Sequence, residues 1–170
     1  MKSRRIIFLD FDGVLATDRF DEILIGKGTK IYDIFGRKFD PNCASSLKWL
    51  IEFAEADIVI TSSWRQYLGP LRMRLMWRCR EMPSRLRGCT PRIADNRGLE
   101  VSKWLSRYSE VEDYVIIDDM DHLQFEPKQQ NHLVTCDHFS GFSLDDAKRA
   151  VQILISDDKK LIFVEGSFKF

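Results

Sequence analysis

Asp10 and Asp12 follow directly on four apolar residues, Ile6-Ile7-Phe8-Leu9, and are themselves followed by Gly13. An apolar run this short and continuous predicts a strand buried on both faces, and in an open parallel sheet the space beyond the strand ends is where ligands collect. A carboxylate at such an end can attack phosphorus and form an aspartyl phosphate, provided a hard cation offsets the repulsion between it and the phosphoryl oxygens. A second carboxylate two residues on can protonate the leaving oxygen and then deprotonate the water that opens the intermediate. Asp-x-Asp-Gly alone is also ordinary turn chemistry, so the reading depends on what recurs elsewhere.

Two further strand-like runs end in matching groups. Asp57-Ile58-Val59-Ile60 leads into Thr61-Ser62-Ser63, hydroxyls suited to phosphate oxygens or to capping the next helix. Tyr114-Val115-Ile116-Ile117 ends in Asp118-Asp119, a paired carboxylate that would complete an oxygen site of the kind magnesium prefers. Cys43, Cys79, Cys89 and Cys136 include no Cys-x-x-Cys pair and no histidine at ligand spacing, so zinc is not expected and the cysteines read as reduced, mostly buried small hydrophobes. His122, His132 and His138 are scattered, with no serine or cysteine nucleophile pattern beside them.

The elements that must position these groups alternate between strand and helix. Helical patterns are predicted from Asp40-Pro41 to about Glu55, from about Tyr67 to Arg80 with Leu68, Leu71, Leu75, Met76 and Cys79 inward, from Leu99 onward, and after a capping box at Ser143-x-x-Asp146. Strands are expected to start near Arg5, Asp57, Tyr114 and His132, the first of them central, with short edge strands at Leu86–Cys89 and Leu161–Glu165. Residues 14–39 read as a small flap or hairpin. The whole 170-residue chain, 44% hydrophobic, is expected to form one three-layer α/β/α domain with a parallel sheet. The apolar run after the basic start is too short for a signal peptide and no other run could span a bilayer, so a cytoplasmic protein is expected.

Net charge is zero but unevenly distributed. Between Arg65 and Arg97 stand nine arginines, no lysine and only Glu81 and Asp95 as acids, a local net of +7 balanced by −7 elsewhere. Arginine throughout favours two-point recognition of phosphate oxygens, as on an RNA or DNA end, although a solvated face paired with acids is the plainer reading.

With these features in order, the chain resembles the haloacid dehalogenase (HAD) superfamily of phosphohydrolases. The resemblance is carried by Phe8-Leu9-Asp10-Phe11-Asp12-Gly13-Val14, Ile60-Thr61-Ser62-Ser63 and Ile116-Ile117-Asp118-Asp119 as its first, second and fourth motifs. Trp64-Arg65, the stretch Arg97-Gly98-x-Glu100-Val101-x-x-Trp104-Leu105, Thr135-x-Asp137 and Gly141-Phe142-Ser143 resemble more particularly the branch found as the HAD domain of bacterial Swiss Army Knife RNA repair proteins. The resemblance implies Asp10 as nucleophile and magnesium ligand, and Asp12 as general acid/base that also lends its backbone carbonyl to the metal. It implies Thr61, with Ser62 close by, on the phosphoryl group, Asp118 as a direct metal ligand, and Asp119 supporting the metal directly or through water. Its third motif usually has a lysine before a proline; here the basic candidates are Arg97, favoured by position, and Lys103. Arg65 is the further substrate contact expected. The superfamily's large cap is missing, and an open site suits phosphates on large substrates.

The expected activity is a magnesium-dependent phosphatase acting on a phosphorylated nucleic-acid end. The competing readings are a small-molecule phosphatase, a phosphotransferase, and a binding domain that recognises phosphorylated ends without turnover; the second acid, Asp12, argues against the last.

Overall fold

The computed structural model describes residues 4–93 and 96–155. Its centre is a parallel sheet of five strands in the order β5-β4-β1-β6-β7: β1 (Arg4–Leu9), β4 (Asp57–Ile60), β5 (Leu86–Cys89), β6 (Val111–Asp118) and β7 (Leu133–Thr135). The expected three-layer α/β/α arrangement around a parallel sheet is the one observed. β1 is central, and β6 begins three residues before the apolar run that announced it. The expected strand at Leu161–Glu165 lies outside the described residues.

Both faces of the sheet are covered, so alternate residues of one strand enter different cores. Ile7 and Leu9 of β1 join Ile58, Ile60, Val115 and Ile117 beneath α2 (Pro41–Ala54), α3 (Arg65–Cys79) and α6 (Leu144–Leu154). Ile6 and Phe8 join Val59, Ile116, Val101 and Trp104 on the side of α4 (Arg97–Leu105). Fully burying each such side chain contributes about 1.5–3 kcal/mol, which is why the apolar runs were legible as strands.

Helix starts follow their side chains. Asp40 caps α2 by accepting the Asn42 N–H at 2.9 Å ahead of Pro41, and Leu47, Leu50, Ile51 and Ala54 are buried along one stripe. The Ser143–Asp146 capping box starts α6. α3 departs from expectation. Gly69 (φ +67°, ψ 166°) and Pro70 break it, because that glycine is not helical and proline has no N–H to continue the ladder. The break shifts the phase of the helix: Met73, Met76 and Trp77 turn inward, whereas Leu71 is 81% exposed and Leu75 and Cys79 are also exposed.

The expected flap at 14–39 is more structured than a hairpin alone. It holds the helix α1 (Asp18–Gly26), capped by Thr17, and an antiparallel pair, β2 (Tyr32–Asp33) with β3 (Gly36–Arg37). Only Leu24 of α1 is buried, so the helix lacks the broad apolar stripe by which a sequence announces one. α5 (Pro127–Gln130) and a single 3-10 turn at His122–Gln124 complete the described elements.

Candidate active site at the strand ends

Register builds the floor of the site. Leu9 pairs with Ile60 on one side and Ile117 on the other, so the next residue of each strand, Asp10, Thr61 and Asp118, stands in one row at the carboxyl edge of the sheet. The ladder continues past the strands: Asp10 N–H donates to Ile117 O at 3.0 Å and Thr61 N–H to Leu9 O at 2.9 Å. One carboxylate oxygen from each of Asp10, Asp118 and Asp119 lies within 4.8 Å of the other two. Asp119 reaches the group because Gly13 turns away at φ +67°; a Cβ there would lie 2.2 Å from the Asp119 carboxylate.

Arg97, the first residue of α4, points its Nη1 at Asp118 Oδ2 at 3.0 Å and at Asp10 Oδ1 at 3.5 Å. Lys103 sits six residues further along the helix and is exposed, about 9 Å of helical rise away. Of the two basic candidates Arg97 is therefore the one on the floor, and Lys103, expected at the substrate, is not brought to it. One guanidinium does not balance three carboxylates. Burial, then the charge of Asp10, pushes Asp118 up to about 7 against the pull of Arg97 and the Met120 N–H. Asp119 is raised from the same two causes. Burial works against the charge on Arg97, yet Asp10 and Asp118 outweigh it and hold Arg97 above its ordinary value. Hard oxygen donors with surplus negative charge fit a divalent cation.

The Thr61 hydroxyl is buried and has no hydrogen-bond partner among the described residues. Leaving such a group unpaired costs on the order of 1–3 kcal/mol, and an acceptor arriving at the floor would recover it. Ser62 is occupied differently, its hydroxyl accepting the Trp64 N–H at 3.4 Å. Arg65, expected at the substrate, is turned under the loop. Its Nη2 meets Glu100 Oε2 at 2.5 Å in a buried pair, and its Nη1 donates to the carbonyls of Thr61 and Ser62. Arg65 thus fixes the second motif from below.

Asp12 leaves the acidic cluster. Its Oδ2 accepts the Trp64 indole N–H at 2.8 Å, and its Oδ1 faces Arg37 Nη1 at 3.7 Å. Burial raises its pKa, Trp64 and Arg37 lower it, and Asp10 raises it further, with a net shift upward. Trp64 is buried between Phe11, Phe39 and Tyr67, while Arg37 is braced by Asp18 and Asp21 at 2.8 Å each. Neither residue was assigned a role from sequence. The tryptophan stood next to the motif hydroxyls, but no spacing rule brings Arg37 to Asp12.

A family model described as the HAD domain in Swiss Army Knife RNA repair proteins matches residues 6–147. The chain belongs to this family. The match runs from the strand before Asp10 to the first turn of α6 and so takes in every floor residue of this HAD domain. No curated protein matches the chain. Membership supports a HAD-type phosphohydrolase, and HAD domains generally use a metal ion, for which the acidic cluster of this HAD domain is suited.

Eight of the nine arginines of residues 65–97 divide in two. Arg65, Arg80, Arg85, Arg87 and Arg97 each face a carboxylate, and Arg80 and Arg87 also lie over the rings of Phe39 and Tyr108 at 4.0 and 4.5 Å. Arg72 is exposed and donates to Ile34 O, whereas Arg74 and Arg78 are exposed without an ion pair among the described residues. Much of the local +7 is thus answered within the fold.

Proposed function

We propose that this HAD domain is a magnesium-dependent phosphomonoesterase working through an aspartyl phosphate on Asp10. The observation that carries the reading is the convergence of the Asp10, Asp118 and Asp119 carboxylates at the sheet edge that also carries the Thr61 hydroxyl, unpartnered among the described residues. Asp10, Asp118 and Asp119 would hold the cation, which offsets the repulsion between Asp10 and the phosphoryl oxygens.

Asp10 attacks phosphorus while the bond to the ester oxygen breaks, and Asp12 delivers its proton to that oxygen. Water then attacks the acyl phosphate, Asp12 takes the water proton, and the bond between phosphorus and the Asp10 oxygen breaks to release inorganic phosphate. Thr61 donates to a phosphoryl oxygen throughout, and Arg97 holds Asp10 and Asp118 in line. The Trp64 N–H fixes the direction in which Asp12 faces the ester.

A phosphorylated RNA or DNA end is the substrate class best supported. The family is that of RNA repair proteins, the insert at 14–39 is too small to enclose a substrate, and Arg72, Arg74 and Arg78 lie exposed on α3. The test is phosphate release, with magnesium or with excess chelator, from phosphorylated oligonucleotides, free nucleotides and sugar phosphates. Turnover should require magnesium and vanish in Asp10→Asn with the fold intact. Full activity in that variant or in chelator overturns the mechanism, and a preference for sugar phosphates overturns the substrate class.

A further inference from the structure

Beside Asp12 the protein exposes aromatic surface that the phosphoryl chemistry does not use. Tyr67 of α3 is 61% exposed and Tyr32 of β2 is 58% exposed. Each is tied to Asp12 by its own route. The Tyr67 ring lies 6.3 Å from that of Trp64, whose indole N–H holds Asp12. Tyr32 pairs across the hairpin with Arg37, which faces Asp12 at 3.7 Å.

The hairpin rests directly on the indole: a Cβ on Gly36 would come within 2.9 Å of the Trp64 ring. Arg72 ties α3 to the hairpin through Ile34 O at 3.0 Å, and Ile34 itself is 79% exposed. The Tyr67 phenol is pushed up to about 12 by desolvation, then by the charges of Asp12, Asp10 and Tyr32, so it stands in the field of both site carboxylates and of the other tyrosine.

We infer that Tyr32 and Tyr67 form a stacking platform for the nucleobase of the nucleotide whose phosphate reaches Asp10. The inference rests on the phosphatase reading and deepens it by naming what recognises the ester's organic half. Asp12 marks the leaving-group side of phosphorus, so surface adjoining Asp12 meets that half. A flat ring is sequence-tolerant, because every base has a π-face, and a tyrosine has few rotamers to lose on binding. A sugar phosphate has no π-face to offer.

The experiment measures kcat and KM with magnesium on a nucleoside 3′-monophosphate, a 3′-phosphorylated trinucleotide, ribose 5-phosphate and O-phosphotyrosine. Tyr67→Ala and Tyr32→Ala should each reduce the preference for the nucleotides over ribose 5-phosphate by roughly 5- to 150-fold, through KM, and Tyr67→Phe should keep it. A merely structural role for Tyr67, propping Trp64, would instead lower kcat on all substrates alike and leave the preference in place. The trinucleotide against the mononucleotide tells a strand end from a free nucleotide.

An unchanged preference in both alanine variants, or O-phosphotyrosine as the best substrate, overturns the platform and leaves the phosphatase standing. If no phosphomonoester is turned over, the phosphatase reading falls, and equilibrium binding of the trinucleotide to Asp10→Asn still decides the platform. Tighter binding there than in Asp10→Asn with Tyr67→Ala supports it; equal binding overturns it.

Discussion

The floor of the site and its rim are built in opposite ways. Asp10, Thr61 and Asp118 stand at or directly after strand ends, are buried, and owe their positions to the register of β1 with β4 and β6, and the start of α4 brings Arg97 to them. Asp12, Trp64, Arg37, Tyr32 and Tyr67 come from a turn, a helix start and a hairpin of two-residue strands, and Tyr32 and Tyr67 are more than half exposed. A ladder fixes its strand ends at the cost of the whole sheet, whereas a hairpin is held by a few ion pairs. The floor is therefore suited to chemistry that tolerates no displacement, and the rim to selecting among esters.

Breaking the two regions should give different kinds of loss. After the abolition of turnover expected in Asp10→Asn, the largest is expected where they meet. Asp12→Asn removes the proton carrier and should lower kcat by roughly 10² to 10⁴ while the fold persists, and a steady-state assay with a circular dichroism check would show a smaller loss if another group moved the proton. Beneath the floor, Arg65→Met leaves the Glu100 charge buried without its ion partner and held, among the described residues, only by the Ile93 N–H; stability should drop by about 3–5 kcal/mol in denaturant titrations. A loss under about 1 kcal/mol would mean that the second motif does not depend on this pair.

At the rim, Trp64→Phe keeps most of the packing but deletes the hydrogen bond to Asp12. Such bonds to charged groups contribute about 1.5–3 kcal/mol, so kcat should fall roughly 10- to 100-fold with little change in melting temperature. Equal losses in activity and stability would reassign Trp64 to packing alone. Smallest is the effect of the outlying arginines. Binding of a phosphorylated oligonucleotide to Asp10→Asn should weaken with salt, and Arg72→Ala and Arg78→Ala should each reduce the slope by about one. A flat salt response would confine recognition to the site itself.

The floor was legible because its signals are local and repeated: an apolar run ending in a carboxylate or hydroxyl says both where a strand stops and which edge it faces. The capping residues Asp40 and Ser143 were legible for the same reason. The stripe on α3 was misjudged because Gly69-Pro70 shifts the helix phase, so Leu71 and Leu75 lie outside the core while Met73 lies within it. α1 was missed because it buries little. The charge of residues 65–97 is legible as a sum, but a sum cannot tell an arginine paired across the fold, such as Arg87 with Glu110, from an exposed one such as Arg78.

By itself the sequence determined the strand order in time, the residues that end each strand and the chemistry those residues can do, since these depend on neighbours along the chain. Only the tertiary structure decided which partners they meet. It gave Arg97 rather than Lys103 to the floor, turned Arg65 inward to Glu100, and brought Arg37 and Trp64 to Asp12. Those pairings join residues tens of positions apart, and their geometry is set by how layers pack and where a short hairpin lands, which no local pattern encodes.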